Sequence, residues 1–114
     1  MLVLVLVLMR HLDDSSLGWY TNYDSDKGKQ LATHPVAAIL WYDEVRGRQV
    51  RCEGPVTRAS EVESDNYFAS RPRSHQLSTV SSPQSQVISS PTWMRTRLRE
   101  VEAQYEGRDI PRPT

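Results

Sequence analysis

The feature that most constrains the fold is an apolar run of nine residues at the N-terminus, Met1 to Met9, in which Leu and Val alternate. A helix needs about 20 such residues to cross a bilayer. A secretory signal would need a basic start and a small-residue cleavage site, and neither is present. Because the run is short and Val-rich, we predict a strand over residues 2–9 that is buried on both faces.

Three other stretches carry strand signals. The turn cluster at 13–18 precedes the aromatic run at 19–23, which predicts a hairpin with residues 2–9. Residues 36–42 form a continuous apolar run, which predicts a second buried strand. Residues 46–58 alternate, with Val50, Cys52 and Val56 on one face and Gln49, Arg51 and Glu53 on the other. Gly54-Pro55 interrupts this strand and predicts a bulge or an edge position.

Helix signals dominate the rest of the chain. Ser25 is expected to cap a helix to about Thr33, and the capping box at Ser60 opens a helix that ends near Arg71-Pro72. Residues 74–90 are interpreted as loop with at most one helical turn. Ser90-Pro91 starts a helix that Gly107 ends. The order predicts one α+β domain over 1–114, mainly strands in 1–59 and helices and loops in 60–114, with an antiparallel sheet. Its edges imply strands that are missing or come from another chain.

Composition excludes several classes of function. The 114 residues include 14 Lys+Arg and 14 Asp+Glu, so no global field favours nucleic acid or an anionic membrane. The one cysteine, Cys52, permits no internal disulfide, which suits a reducing compartment and predicts a cytoplasmic location. We interpret Cys52 as a small buried apolar residue. The three histidines lack metal-ligand spacing, so no metal is expected.

Polar residues on strand and loop segments suggest a ligand. Phosphate is bound by Arg, Lys, hydroxyls and backbone N–H groups, and a flat conjugated ring takes an amide at its edge. A phosphorylated aromatic ligand therefore fits these residues, although solvated surface charges would look the same. The candidates are Lys27, Lys29, Gln49, Arg51, Tyr67, Arg71, Arg73, Gln84 and Ser85.

Several short motifs occur in an order that resembles a known protein family. They are Tyr20-Thr-Asn-Tyr-x-Ser-x-Lys-Gly28, Arg48-Gln-Val-Arg-x-Glu-Gly54, Tyr67-Phe-x-Ser-Arg-Pro72 and Gln84-Ser85 within Ser-x-Gln-Ser, followed by Pro111-Arg-Pro113. From about Val5 to Pro113 the chain resembles the pyridoxine/pyridoxamine 5′-phosphate oxidase family. The resemblance implies a mainly β, FMN-binding split β-barrel, antiparallel and incomplete here, with short peripheral helices, that dimerises around FMN.

The resemblance also implies a reaction and a set of contacts. Pyridoxamine or pyridoxine 5′-phosphate would be oxidised to pyridoxal 5′-phosphate, with hydride passing to the flavin and O₂ leaving as hydrogen peroxide. No residue takes a catalytic role. The implied FMN contacts are Arg10, Tyr20, Thr21, Lys27, Gln49, Gln84 and Ser85, the last two from the partner subunit. The implied substrate contacts are Arg10, Tyr67, Arg71 and His75.

Several positions depart from the family pattern. Val5 stands where the family has Arg, Arg10 where it has Lys, and Asp26 where a basic residue is frequent. The family word Ser-Gln-Ile-Gly-Ala-Trp reads His75-Gln-Leu-Ser-Thr-Val80. The family's N-terminal helix and strand and its later Trp-Gln-Gly and Arg-Leu-His segments have no counterpart. The alternative function is therefore a split-barrel remnant that dimerises or binds FMN or another phosphorylated ligand without turnover; a third interpretation is a fragment that does not fold alone.

Overall fold

The computed structural model describes residues 4–113, which form two antiparallel hairpins and a group of helices. Each hairpin is a separate two-stranded sheet. The elements in chain order are β1 (Met9–Leu12), β2 (Leu17–Trp19), α1 (Asp26–Thr33), β3 (Val36–Asp43), β4 (Arg48–Pro55), α2 (Glu61–Ser70), α3 (Arg73–Ser81) and α4 (Pro91–Gln104).

The first hairpin turns within the predicted cluster, but its second strand is displaced: β2 covers Leu17–Trp19, so the predicted strand over the aromatic run 19–23 is wrong for residues 20–23, which are not in a strand. The Asp13 carboxylate accepts hydrogen bonds from the backbone N–H groups of Ser15 and Ser16, both at 2.8 Å, which closes the turn. The predicted buried strand over 2–9 is wrong for residues 4–8, which are not in a strand; Leu6 is 95% exposed. Among residues 4–113, the three-residue β2 pairs only with Met9–Leu12, so it is too short to pair with residues 4–8 as well. Residues 1–3 of that prediction lie outside the described residues.

The second hairpin has the predicted strands but not the predicted burial. β3 and β4 pair without interruption from Val36 opposite Pro55 to Asp43 opposite Arg48, so Gly54-Pro55 ends an edge strand and makes no bulge. Leu40 is 63% exposed, which corrects the expectation of a buried strand. Cys52 is exposed as well, not buried. Leu40 and Cys52 are exposed for the same reason: within residues 4–113 no other element packs extensively on the β3–β4 sheet.

Three helices begin at the caps that the sequence indicates. The hydroxyl groups of Ser25, Ser60 and Ser90 accept hydrogen bonds from the backbone N–H groups of Gly28, Glu63 and Trp93, respectively. At Ser60 the capping box is complete, because the Glu63 carboxylate also accepts from the Ser60 N–H at 3.2 Å. Such caps satisfy backbone N–H groups that a helix leaves unpaired in its first turn.

Helix α3 replaces about half of a predicted loop. The loop prediction is wrong for residues 74–81, which are helical, while 82–90 lack helix and strand as predicted. Leu77 and Ser81, four residues apart, are buried on one face of α3, which packs on α4. The amide of Gln76 donates to three carbonyl groups at the end of α2, at 3.0–3.3 Å. Tertiary contacts therefore stabilise this helix.

A small core joins the helices to the C-terminal tail. It consists of Phe68, Leu77, Val101 and Ile110, with Val80, Leu98 and Tyr105 packed around it. Arg73 fastens the end of α4 by donating to the carbonyl groups of Tyr105 and Arg108, at 2.6 and 2.9 Å. In the part of the chain that the structure describes, no helix has the length and apolarity needed to cross a membrane.

Candidate functional site

A cleft of about 360 Å³ opens between the first hairpin and the helices. Its wall is built from the segment before β1, the loop between β2 and α1, the inner face of α2, the end of α3 and the C-terminal tail. The lining residues are Leu6, Val7, Leu8, Arg10, Tyr20, Thr21, Asn22, Tyr23, Lys27, Ser64, Tyr67, Phe68, Arg71, Thr79, Ser82, Gln84, Arg112 and Pro113.

The loop before α1 and the first turn of α1 each place one polar side chain, Thr21 and Lys27, on the wall of this cleft. Buried Ser25 donates its hydroxyl to the Asn22 carbonyl at 2.6 Å and accepts from the Gly28 N–H at 3.1 Å. The helix then passes so close to the loop that a Cβ on Gly28 would lie 2.6 Å from the Asn22 carbonyl oxygen. This tight turn holds Thr21 and Lys27 on the same side, where both line the cleft.

Thr21 carries a hydrogen-bonding group without a protein partner. Its Oγ1 is buried, and within residues 4–113 no atom forms a hydrogen bond with it. Buried hydroxyls in native proteins almost always have a partner, because an unpaired one costs about 1–3 kcal/mol. Since Thr21 lines the cleft, we infer that a polar group of a ligand or a water molecule completes it.

Two tyrosines form a flat aromatic surface in the cleft. The rings of Tyr20 and Tyr67 stack with centroids 3.6 Å apart and planes 3° from parallel. Burial, and after it the negative charge of Glu63 and the contact with Tyr67, raise the pKa of Tyr20 above its ordinary value. Both the stacking and the neutral phenol give the site an apolar face next to its polar groups.

The charges that line the cleft are positive. Four cations contribute to the lining, and no Asp or Glu is among the lining residues that the structure describes. Arg112 is neutralised by Asp65, at 2.7 Å, and by Glu61, and these pairs raise the pKa of its guanidinium. Arg10, Lys27 and Arg71 form no salt bridge within residues 4–113, so they favour an anion.

The structure brings together seven of the ten residues that the resemblance assigns to ligands. Gln49 lies on β4 opposite Tyr42, on the sheet that stands apart from the cleft. Ser85 is in the following loop with a positive φ of 63°, and the exposed His75 is in the first turn of α3. These three do not line the cleft. Those that do are Arg10, Tyr20, Thr21, Lys27, Tyr67, Arg71 and Gln84.

The departures from the family pattern take different places. Val5 and Asp26 are exposed and do not line the cleft, so Asp26 places no carboxylate on its wall. Gln84, which the resemblance assigns to a partner subunit's FMN, lines the cleft of its own chain.

Sequence reasoning missed several lining residues. Thr79 fell in a stretch interpreted as loop, and Arg112 is the variable residue of the Pro-x-Pro word, so neither carried a local signal. Asn22 was visible as a motif residue without an assigned role. The missed polar or aromatic lining residues are Asn22, Tyr23, Ser64, Phe68, Thr79, Ser82 and Arg112.

Comparison with known proteins places the chain. The family described as pyridoxamine 5′-phosphate oxidase matches residues 3–105. The chain belongs to this family. It is 44% identical over 108 residues to the pyridoxine/pyridoxamine 5′-phosphate oxidase of Synechocystis sp., covering 95% of this chain and 50% of the relative. The corresponding oxidase of Thermosynechococcus vestitus is 46% identical over 109 residues, with 95% and 51% covered.

A plant relative and a solved structure extend the comparison. Pyridoxine/pyridoxamine 5′-phosphate oxidase 1, chloroplastic, of Arabidopsis thaliana is 44% identical over 109 residues, which are 95% of this chain and 21% of the relative. The crystal structure of PhzG from Burkholderia lata 383, in complex with tetrahydrophenazine-1-carboxylic acid, superposes with a TM-score of 0.85 at 25% identity, covering 94% and 52% of the two chains. The predicted split-barrel fold is thereby confirmed. The chain spans about half the length of the bacterial relatives it matches.

Proposed function

We propose that the chain binds FMN and a vitamin B6 phosphate and oxidises pyridoxamine or pyridoxine 5′-phosphate to pyridoxal 5′-phosphate. For the amine, water and O₂ enter and ammonium and hydrogen peroxide leave, so two electrons pass from the substrate to O₂. The observation that carries the proposal is the convergence, on one cation-lined cleft, of seven of the ten residues that the resemblance assigns to ligands.

The residues of the cleft fit a phosphorylated flavin. Lys27 and Arg10 supply positive charge, Thr21 supplies a buried hydroxyl that lacks a protein partner, and Gln84 supplies an amide. These are groups that recognise a phosphate ester and the polar edge of a conjugated ring. FMN, when bound, supplies the two-electron chemistry that no side chain of this site provides.

The substrate phosphate is assigned to a second set of residues. Arg71 offers a guanidinium at the end of α2, and its Cζ lies 5.9 Å from the centre of the Tyr67 ring. Arg10 lines the same cleft and adds a second cation. In this assignment the chain's residues bind and orient the substrate.

The assembly and the location are proposals of the same kind. The uncovered apolar side chains of β3 and β4 support a homodimer, since a second copy would bury them. A cytoplasmic location stays a prediction from the single cysteine, and the Arabidopsis relative is named as chloroplastic.

Flavin retention followed by peroxide release tests the function. The chain is purified with added FMN, passed through gel filtration and supplied with pyridoxamine 5′-phosphate in air. A yellow protein that releases hydrogen peroxide in step with pyridoxal 5′-phosphate is the expected result. Pyridoxamine without phosphate is the control substrate and should react far more slowly. A colourless protein contradicts the proposal.

Binding without turnover is the second candidate function. Gln49 and His75, which the resemblance assigns to flavin and substrate, lie outside the cleft. A site without those contacts would still hold a phosphorylated ligand through its cations. A yellow protein that releases no peroxide would support this candidate against the oxidase.

A further inference from the structure

We propose that Thr79 is a positioning residue that holds the guanidinium of Arg71 in the orientation that receives the substrate's phosphate. The inference rests on the proposed function, because it assigns a role within the phosphate half of that same cleft. Thr79 lines the cleft together with Arg71, and both side chains are half-buried.

The hydrogen bonds of Thr79 define how it acts. Arg71 Nη1 donates to Thr79 Oγ1 at 2.9 Å, and Thr79 Oγ1 donates to the carbonyl oxygen of His75, also at 2.9 Å. A threonine hydroxyl has one proton, and here the backbone of α3 takes it. In this arrangement Thr79 accepts from Arg71 and has no proton left for a phosphate. It therefore acts on the ligand through Arg71.

The backbone of Arg71 is already fixed by other contacts. Its N–H donates to the carbonyl of Phe68 at 3.2 Å, and its own carbonyl accepts from the Gln76 amide at 3.1 Å. Pro72, which follows, restricts its backbone to the extended region. The remaining freedom is in the long side chain, which loses up to about 2 kcal/mol of rotamer entropy when it is ordered. Thr79 orders its far end before a ligand arrives.

Thr79 lies in the word where this sequence departs from the family pattern described above. In the family word Ser-Gln-Ile-Gly-Ala-Trp, the position of Thr79 is Ala and the position of His75 is Ser. Here the side chain of His75 is exposed and does not line the cleft. Where the family has a hydroxyl at position 75, this chain has one at position 79, one helical turn later. The Thr79 hydroxyl contacts Arg71, to which the substrate phosphate is assigned.

A matched pair of variants tests the role of the hydroxyl. Thr79→Val removes the hydroxyl with little change of shape, and Thr79→Ser retains it. Equilibrium dialysis of the full chain measures affinity for pyridoxine 5′-phosphate and for pyridoxine, which has no phosphate. We expect Thr79→Val to weaken binding of the phosphate ester about threefold to tenfold, as loss of one hydrogen bond does. Pyridoxine binding should not change, and Thr79→Ser should behave like the wild type.

A double-mutant cycle adds a readout that a structural role would not move. In an Arg71→Gln background, Thr79→Val should have no further effect on the affinity for the phosphate ester. If Thr79→Val fails to fold, Thr79→Ala provides the same comparison, because Ala is the best helix former.

The outcomes separate the inference from the function on which it rests. A wild-type chain that does not prefer pyridoxine 5′-phosphate over pyridoxine overturns the proposed function. A wild-type preference that survives unchanged in Thr79→Val overturns only the role of Thr79. Equal losses with and without Arg71 would likewise contradict action through that residue.

Discussion

At the scale of single residues, Gly28 shows why only glycine fits at one position of a motif. A Cβ there would contact the backbone carbonyl oxygens of Asn22 and Tyr23, neither of which is the end of a flexible side chain. We expect Gly28→Ala to lower the free energy of unfolding by about 1–3 kcal/mol and to weaken FMN binding, because the loop carrying Thr21 must move.

Gly54 offers the matched control for this prediction. An added Cβ at Gly54 meets no atom within 4 Å. Gly54→Ala should change the free energy of unfolding by no more than about 0.5 kcal/mol. Urea denaturation of both variants measures the difference, and similar midpoints would contradict the close packing at Gly28.

The raised pKa of Tyr20 predicts a loss of stability at alkaline pH. Burial disfavours the phenolate, so the folded chain holds this proton to a higher pH than the unfolded chain does. The contribution of Tyr20 is therefore fully present below its unfolded pKa of about 10 and is lost as pH rises through the folded pKa. Thermal unfolding of wild type and Tyr20→Phe across this range measures it. Equal slopes of stability against pH would contradict the burial.

At the scale of elements, Arg112 joins the C-terminal tail to α2. It pairs with Asp65 and Glu61, which are 47 and 51 residues away in sequence. Arg112→Gln should lower the free energy of unfolding by about 1 kcal/mol, with a smaller effect at high salt, because both carboxylates are exposed.

Arg97 provides the control for this tail contact. It pairs with Glu100 at 3.8 Å within α4 alone, so Arg97→Gln removes a local pair and leaves the tail in place. We expect its effect to be at most a few tenths of a kcal/mol. Limited proteolysis of the tail should accelerate only in Arg112→Gln; equal rates in both variants would count against the connection.

The helices also show what the sequence can and cannot reveal. Ser25, Ser60 and Ser90 predicted α1, α2 and α4 because a cap is a local signal that can be read from neighbouring residues. Helix α3 was missed because Pro72, at its N-cap, makes no side-chain hydrogen bond, and the helix depends on packing against α4. The resemblance likewise supplied the motif residues of the cleft but not the contacts between distant segments, such as the stack of Tyr20 on Tyr67.

At the scale of the whole molecule, the single chain is open. Its radius of gyration of 16.4 Å exceeds the roughly 13 Å of a compact domain of about this length. The β3–β4 sheet leaves large apolar side chains uncovered. They are Val36, Leu40, Trp41, Tyr42 and Val50, each about half or more exposed.

If a homodimer forms through the β3–β4 sheet, a charged side chain introduced on that sheet should weaken the dimer. We place the interface on the face of the sheet that Trp41 shares with its cross-strand neighbour Val50. Trp41→Glu should then shift the chain from dimer to monomer in analytical ultracentrifugation, because a carboxylate would be buried in the interface. Val62→Glu is the control: Val62 is 68% exposed on α2, away from the sheet. A monomeric wild type, or a Trp41→Glu variant that dimerises normally, would contradict the proposed assembly.

The most direct test of the cleft is a comparison of FMN with riboflavin, which lacks only the phosphate. Because cations line the cleft, we expect the chain to bind FMN at least about tenfold more tightly than riboflavin. Lys27→Gln should reduce this preference, whereas Lys29→Gln should retain it, since Lys29 is exposed and does not line the cleft. Fluorescence titration of the three proteins with each flavin measures all six affinities. Equal binding of the two flavins by the wild type, or no binding of either, would contradict the assignment of this cleft to a phosphorylated flavin.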